Sequence, residues 1–339
     1  MIQTLEELCG LNAVSGDEKD VREYIISKIK ILKSDIKTDN LGNLIIFKKG
    51  RQRPKNKIMV CAHMDEVGFI TSYITDDGYV KIKPVGGIMP SAVPGRRILF
   101  KRGITGAVGT KPVHKLKDVE KETQPTIEEL HVDIGATDRA DAEKYVSLGE
   151  IAYFVGEFFE FGDGFVSGKA IDDRIGCAIM IDMINSDLEY DAFFVFTAVE
   201  EAGARGAAPA AYSVMPDMAV VLEATTAADI PGIENGDVVC ELGGGPVVSF
   251  MDNGSIYDKE LYDTAFFTAR ENSLKCQTKT KIAGGNDGGV IHRTLGGIRT
   301  IAASVPCRYL HTANCVIKMS DAEETRILTE KLLEKASVL

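Results

Sequence analysis

Apolar positions along this chain switch between two periods. Over residues 15–33, Val21, Tyr24, Ile25, Ile29 and Leu32 recur at helical spacing behind Ser15-Gly16-Asp17-Glu18, a capping-box pattern. They predict an amphipathic helix packed on a core. A turn at Asn40-Leu41-Gly42-Asn43 then leads to a short strand, LIIF. KIMVCAHMD follows, continuously apolar until it ends in polar residues. A buried central strand delivers side chains to a sheet edge in this way.

The rhythm changes near residue 68. From there to residue 163 come short β-like runs split by Gly and Pro: GFITSYI, YVKIKPVGG, RILFKRG, ITGAVGT and EIAYFVGEF. They predict a small all-β unit. Within it, KLKDVEKETQPTIEEL (115–130) is highly charged and predicts an exposed loop. After residue 164 helices and strands alternate again. Asp172 and Asp173 precede a helix, RIGCAIMIDMI. FFVFTAV is a strand followed by Glu200-Glu201, DMAVVLEAT is a strand ending in an acid, and VVSF and GIRTIAAS are further strands. The last helix has its own capping box, Ser320-Asp321-Ala322-Glu323, ahead of Ile327, Leu328, Leu332 and Leu333. The fold expected is α/β: a mostly parallel sheet flanked by helices, built from 1–67 and 164–339, with a β-rich insertion at 68–163.

Composition narrows the function. With 45% hydrophobic and 26% charged residues, the chain has the balance of a soluble globular protein. No stretch approaches the roughly 18–20 apolar residues that cross a bilayer, and MIQTLEELCG lacks a secretory signal pattern. The seven cysteines include no C-x-x-C pair, which predicts reduced thiols and a cytoplasmic location. Cys61 and Cys177 lie in apolar runs and are expected to be buried. A net charge of −11 argues against nucleic-acid and anionic-membrane partners. Part of that acidity is expected to face metal ions.

The informative feature is where acids and histidines fall. Sites in open α/β sheets form outside the carboxyl ends of the strands. His63 and Asp65 end one predicted strand, Glu200 and Glu201 another, and Glu223 a third; Asp172 opens a helix and His311 follows a strand in RYLHTAN. Imidazole nitrogen and carboxylate oxygen suit zinc, and two ions can share a bridging carboxylate. The assignment is His63, Asp172 and Glu223 on one ion, and Asp172, Glu201 and His311 on the other, with Asp172 bridging. Asp65, two residues from His63, is placed to accept the second imidazole N–H. Adjacent Glu200 and Glu201 cannot point the same way on a strand, so Glu201 is assigned as ligand and Glu200 as general base. Asp172 has the alternative of a simple helix N-cap, and His114, His131 and His292 are expected to have structural roles.

AHMDEVGF, GTKPVHK, VDIGATD, VSGKAIDDRIGC, TAVEEAGARGA, GGNDGG and VPCRYLHT, in this order, resemble the glutamyl aminopeptidase family, also called the tetrahedral aminopeptidases, some once described as cellulases or endoglucanases. The resemblance runs nearly end to end. It implies a metal-dependent aminopeptidase with two divalent ions per subunit, zinc or cobalt. His63, Asp172, Glu201, Glu223 and His311 match the ligand positions, Asp65 the supporting carboxylate and Glu200 the base. It also implies a phosphorylase/hydrolase-like domain, an inserted β-barrel-like oligomerisation domain, peptide substrates and a homo-oligomer such as a tetrahedral dodecamer. GGNDGG (284–289) resembles a loop on the substrate side. Glu223 stands where many relatives place Asp, and GARGAA is richer in alanine than usual. Other readings are a carboxypeptidase or deacylase on the same scaffold, an endoglucanase, or an inactive peptide-binding assembly protein. Arg205 and Lys281 are basic residues for which solvated surface is the expected role.

Overall fold

A computed structural model describes residues 1–115, 124–234 and 236–339. The short strands β1 (Ile36–Thr38) and β2 (Leu44–Lys48) precede β3 (Ile58–His63). The next six are β4 (Gly68–Ile74), β5 (Val80–Val85), β6 (Arg97–Phe100), β7 (Thr105–Gly109), β8 (His131–Asp133) and β9 (Ile151–Phe154). After β10 (Phe159–Phe161) and β11 (Phe165–Gly168) come β12 (Ala192–Thr197), β13 (Met218–Thr226), β14 (Val247–Val248), β15 (Gln277–Thr278), β16 (Arg299–Cys307) and β17 (Cys315–Lys318).

Eight strands form one sheet in the order β1-β2-β12-β3-β13-β16-β14-β15. Its centre, β12-β3-β13-β16, is parallel, and β2 and β14 pair antiparallel at either side. β3 sits between two parallel neighbours, which is why all six of its residues are buried. Phe194 and Phe196 of β12 are fully buried, each contributing about 1.5–3 kcal/mol of apolar burial. The helix Ile171–Asn185 packs on β3 and β13, beside the helices Ile2–Cys9 and Met319–Ala336. β10, β11 and β17 form a separate small sheet, with β17 next to β16.

β4 to β9 close into a barrel in the order β4-β5-β8-β7-β6-β9. Its interior is a separate apolar cluster that includes Phe69, Ile98, Phe100, Val132 and Phe154. The expected α/β architecture with a small β unit is therefore present.

Several local expectations change. The first amphipathic helix is shorter, Lys19–Lys28; Ile29 is already extended and Leu32 is exposed. Its capping box does not form, because Ser15 Oγ donates to Asp65 Oδ2 at 2.6 Å and Glu18 accepts from Gly16 N and Val199 N. The second box is also absent: Ser320 lies inside its helix, and Asp321 accepts from Gly243 N and Gly245 N. β13 continues past Glu223 to Thr226 because β16 pairs with it to the end. VVSF contributes only Val247–Val248 as strand. Of the charged segment 115–130, residues 116–123 lie outside the described residues, whereas Ile127 and Leu130 are buried against the barrel core rather than exposed in a loop.

Candidate metal centre

Parallel strands deliver the chemistry to one edge. Thr197 of β12 lies opposite His63 of β3, and β13 pairs with β3 up to Val221–Cys61. Glu223, two residues further along β13, therefore stands beside His63, and Glu200 and Glu201 follow β12 in a turn. The carboxyl ends of these strands share one sheet edge, the site position for this architecture.

All seven residues named from the sequence converge there. His63 Nε2 is 3.4 Å from Asp172 Oδ1 and 3.3 Å from Glu223 Oε1. His311 Nε2 is 3.1 Å from Asp172 Oδ2 and 3.5 Å from Glu201 Oε1. Asp172 thus stands between the two imidazoles with one oxygen toward each. It does not cap its helix; the neighbouring Asp173 does so, accepting from Gly176 N at 3.0 Å.

Asp65 acts differently from the expectation. The nearest acceptor for His63 Nδ1 is the backbone carbonyl of Asp65, at 3.0 Å, with the carboxylate at 3.4 Å. The carboxylate accepts from Glu200 N and Glu201 N, each at 3.0 Å. It shapes the turn that displays both glutamates. Among the described residues no hydrogen bond reaches the Glu200 carboxylate, whereas Glu201 faces His311.

The cluster is rich in buried negative charge. Burial pushes the carboxyls of Glu200 and Glu223 well above the ordinary range, and burial with the adjoining Asp172 charge pushes Glu201 up to about 7. Burial opposes the Asp172 charge too, but hydrogen bonds with His311 and His63 hold its carboxyl below the usual range. Burial also opposes protonation of the imidazoles; their carboxylate partners prevail, raising His311 to about 10 and His63 well above the ordinary value. Protons on acids and imidazoles are one way to relieve buried negative charge, and bound cations are another.

The residues fit cations on further grounds. Asp172 Oδ1, Asp173 Oδ2 and Glu201 Oε1 are buried without a hydrogen-bond partner, a costly state for carboxylate oxygen. His63, Asp173 and Glu223 present ligand atoms within 4.8 Å of one another, as do His63, Asp172 and Glu201. Imidazole with carboxylate is the donor chemistry of zinc and related divalent ions. The recess before Asp172, Glu201 and His311, walled by Val67, Phe154 and Thr312, holds about 10 Å³, room for an ion or a water. A larger open groove of about 590 Å³, between 37–41 and 208–213, contains none of these groups.

Sequence reasoning missed three features. Asp173 joins the ligand-bearing group, hidden by its overlap with a helix-cap pattern. Asp287, in GGNDGG, is buried, accepts from Thr197 Oγ1 at 2.5 Å and is raised to about 6 by burial. Behind the site, Lys169 Nζ donates to both oxygens of Glu66, at 2.7 and 2.8 Å, and Arg174 Nε donates to Met64 O at 2.9 Å. This buried strut ties the loop after β3 to the segment bearing Asp172. The expected structural histidines include His292, whose ring faces Gly288 O at 2.9 Å. Arg205 and Lys281 are surface groups, bonded to Ala202 O and Asp237.

The chain as a whole is similar to known proteins. Residues 42–328 match the model of the M42 glutamyl aminopeptidases. Over 335 residues the chain is 39% identical to a protein of Acetivibrio thermocellus named as an aminopeptidase, covering 98% of each. An aminopeptidase from the archaeon Desulfurococcus kamchatkensis superposes with a TM-score of 0.91 at 29% identity, covering 98% of this chain and 94% of that one. A Pyrococcus horikoshii peptidase, described as assembling into a tetrahedron or a large octahedral shell, superposes with a TM-score of 0.84 at 30% identity, covering 98% of each chain.

Proposed function

The chain belongs to the M42 glutamyl aminopeptidase family, and from that premise we propose that it releases N-terminal residues from peptides using two divalent cations, zinc or cobalt. The observation that carries this reading is Asp172, with one carboxylate oxygen facing His63 and the other His311. His63, Asp172 and Glu223 would hold one cation, and Asp172, Glu201 and His311 the other. Glu223 serves where an aspartate is more usual; its 3.3 Å approach to His63 supports this. When bound, such a pair polarises a peptide carbonyl and makes water nucleophilic near neutral pH.

The chain's own residues do the rest. Glu200, free of hydrogen-bond partners among the described residues, takes the proton from the attacking water and passes it to the departing amine. Asp65 fixes the backbone of Glu200 and Glu201, so that one carboxylate serves as base while the other faces His311. The Glu66–Lys169–Arg174 strut keeps the two ligand-bearing segments in register.

The chain is read as a catalytic unit, 1–67 with 164–339, and an inserted unit, 68–163, that mediates homo-oligomerisation; the separate barrel core and the assembly described for the Pyrococcus horikoshii peptidase support this. A single-chain mass by light scattering would contradict it. Buried, unbridged Cys61 and Cys177 support action in a reducing compartment such as the cytoplasm. Among the described residues no helix is long and apolar enough to cross a membrane.

The test is residue release from free-amine peptides, with chelator and then with zinc or cobalt restored. Chelation should abolish release, metal should restore it, and N-acetylated peptides should resist. Cleavage of acylated or C-terminal positions instead would mark a deacylase or carboxypeptidase. Release of reducing ends from a glucan would mark an endoglucanase.

A further inference from the structure

Both site imidazoles place Nδ1 against a backbone carbonyl. A carbonyl only accepts, so each ring holds a proton on Nδ1, and Nε2 is the nitrogen that faces the carboxylates and would meet a cation. The carbonyls come from different parts of the fold. For His63 it is Asp65 O, two residues away, at 3.0 Å. For His311 it is Gly87 O, at 2.7 Å, from the turn that follows barrel strand β5.

The same turn touches Glu201. Gly86 has φ +87°, and a Cβ there would lie 2.7 Å from Val67 Cγ1 and 3.3 Å from both Cβ and Oε2 of Glu201. A Cβ on Gly87 would stand 3.4 Å from His311 Nδ1. At Gly86 the absence of a Cβ lets the barrel backbone lie directly on Glu201, while a Cβ on Gly87 would make only ordinary contact with the His311 ring. A second contact is independent of the turn. Ala313, two residues beyond His311, is buried in the apolar cluster inside the barrel, and Gly156 packs so closely on Ala313 O that a Cβ would come within 2.5 Å. The loop that carries His311 is therefore held by the barrel at both points.

We propose that the Gly86–Gly87 turn is a positioning element for the Glu201–His311 half of the metal centre, so that the barrel governs one cation position directly, while the ligands special to the other, His63 and Glu223, come from the central sheet. This rests on the two-cation reading. It makes the inserted unit part of the active site and gives the two cation positions unequal sensitivity to barrel perturbation.

The experiment measures cobalt binding to the full chain by calorimetry and by elemental analysis after gel filtration. The wild type should hold two ions per chain; fewer would sink the two-cation reading itself. Gly86→Ala should keep one ion and bind the other about 10–100-fold more weakly. Adding Gly86→Ala to His311→Ala should cause no further loss, because the same ion is affected. Gly95→Ala is the control: Gly95 also lies in the barrel region, at φ +78°, with nothing within 4 Å of its would-be Cβ. It should keep both ions.

A folded Gly86→Ala protein that binds both ions as the wild type does overturns the proposal. So does equal weakening of both ions, or the same loss in Gly95→Ala, which would mark general barrel strain. If Gly86→Ala does not fold, Val67→Leu presses the same turn from its side chain and should weaken the same ion; two ions at wild-type affinity there overturn it.

Discussion

Asp65 accepts the backbone N–H of Glu200 on one carboxylate oxygen and that of Glu201 on the other, each at 3.0 Å. One buried acid thereby shapes a turn whose two side chains are given separate tasks in the proposed mechanism. Asp65→Asn leaves a single acceptor oxygen and turns an NH2 toward a backbone N–H. It should lower kcat about 10–100-fold, as loss of supporting groups around metal ligands does. Ser15→Ala removes only the third bond to this carboxylate and should cost less. Steady-state kinetics on a free-amine peptide compare the two variants, and equal losses would contradict the role given to the Asp65 carboxylate.

Glu200→Gln removes the proposed base and keeps the shape. Turnover should fall about 10²–10⁴-fold while elemental analysis still finds the bound metal. Wild-type kcat in this variant would exclude Glu200 as the base.

Metal removal should also destabilise the fold, because bound cations relieve the crowding of Asp172, Asp173, Glu201 and Glu223. Ligand linkage contributes about 4 kcal/mol at a thousandfold excess over Kd. Calorimetric melting with chelator, and again after zinc or cobalt is restored, should show a lower and then a recovered Tm. Identical melting curves would argue against bound metal in the native protein.

The strut behind the site should matter for stability. Lys169→Met leaves the Glu66 charge buried, with the more distant Arg174, 3.5 Å away, as its remaining cation among the described residues and Ala13 N as a backbone donor. A broken buried pair costs about 3–5 kcal/mol. Adding Glu66→Gln should recover part of this, since both buried charges then go. Urea unfolding of the single and double variants measures the difference; no recovery would show that packing of the lysine stem dominates.

The Asp229–Arg308 pair predicts an acid-side effect. Burial opposes the Asp229 charge, but two bonds from Arg308, each 2.7 Å, hold its carboxyl below the ordinary 3.8. A depressed carboxyl pKa contributes stability that is complete above the unfolded value and is lost as pH falls through the folded one. The stability gap between wild type and Asp229→Asn, about 1 kcal/mol for such a partly exposed pair, should be full at pH 6. It should shrink as pH drops below about 3.8. A gap independent of pH, read by urea unfolding, would contradict the pairing.

Local pattern carried much of this protein. The continuous apolar run before His63 and the one before Glu200 are legible because a strand covered on both faces needs apolar residues at every position. The change to short, Gly- and Pro-broken runs near residue 68 marked the β unit. The helix over Ile171–Asn185 was legible too, and its expected start after Asp173 agrees with the non-helical backbone angles of Asp172 and Asp173. β8 was missed because it spans only His131–Asp133 and follows a charged stretch.

The capping boxes show where local reading fails. Ser15 and Glu18 have the right spacing, yet Ser15 finds Asp65, fifty residues away, and Glu18 finds Val199. A side chain that can bond locally takes a distant partner when folding brings a buried charge or an unpaired N–H within reach.

The sequence by itself determined the alternation of strands and helices, the residue types of the site, and the strand ends at which most of them lie. Periodicity and side-chain chemistry are local properties, so one chain suffices to read them. Only the tertiary structure decided that Asp172 stands between His63 and His311, that Asp65 serves the turn of Glu200 and Glu201, and that a barrel glycine holds His311. Those relations depend on strand register and on the docking of the barrel against the sheet. They join residues as far apart as Gly87 and His311, and nothing in the spacing along the chain encodes such a contact.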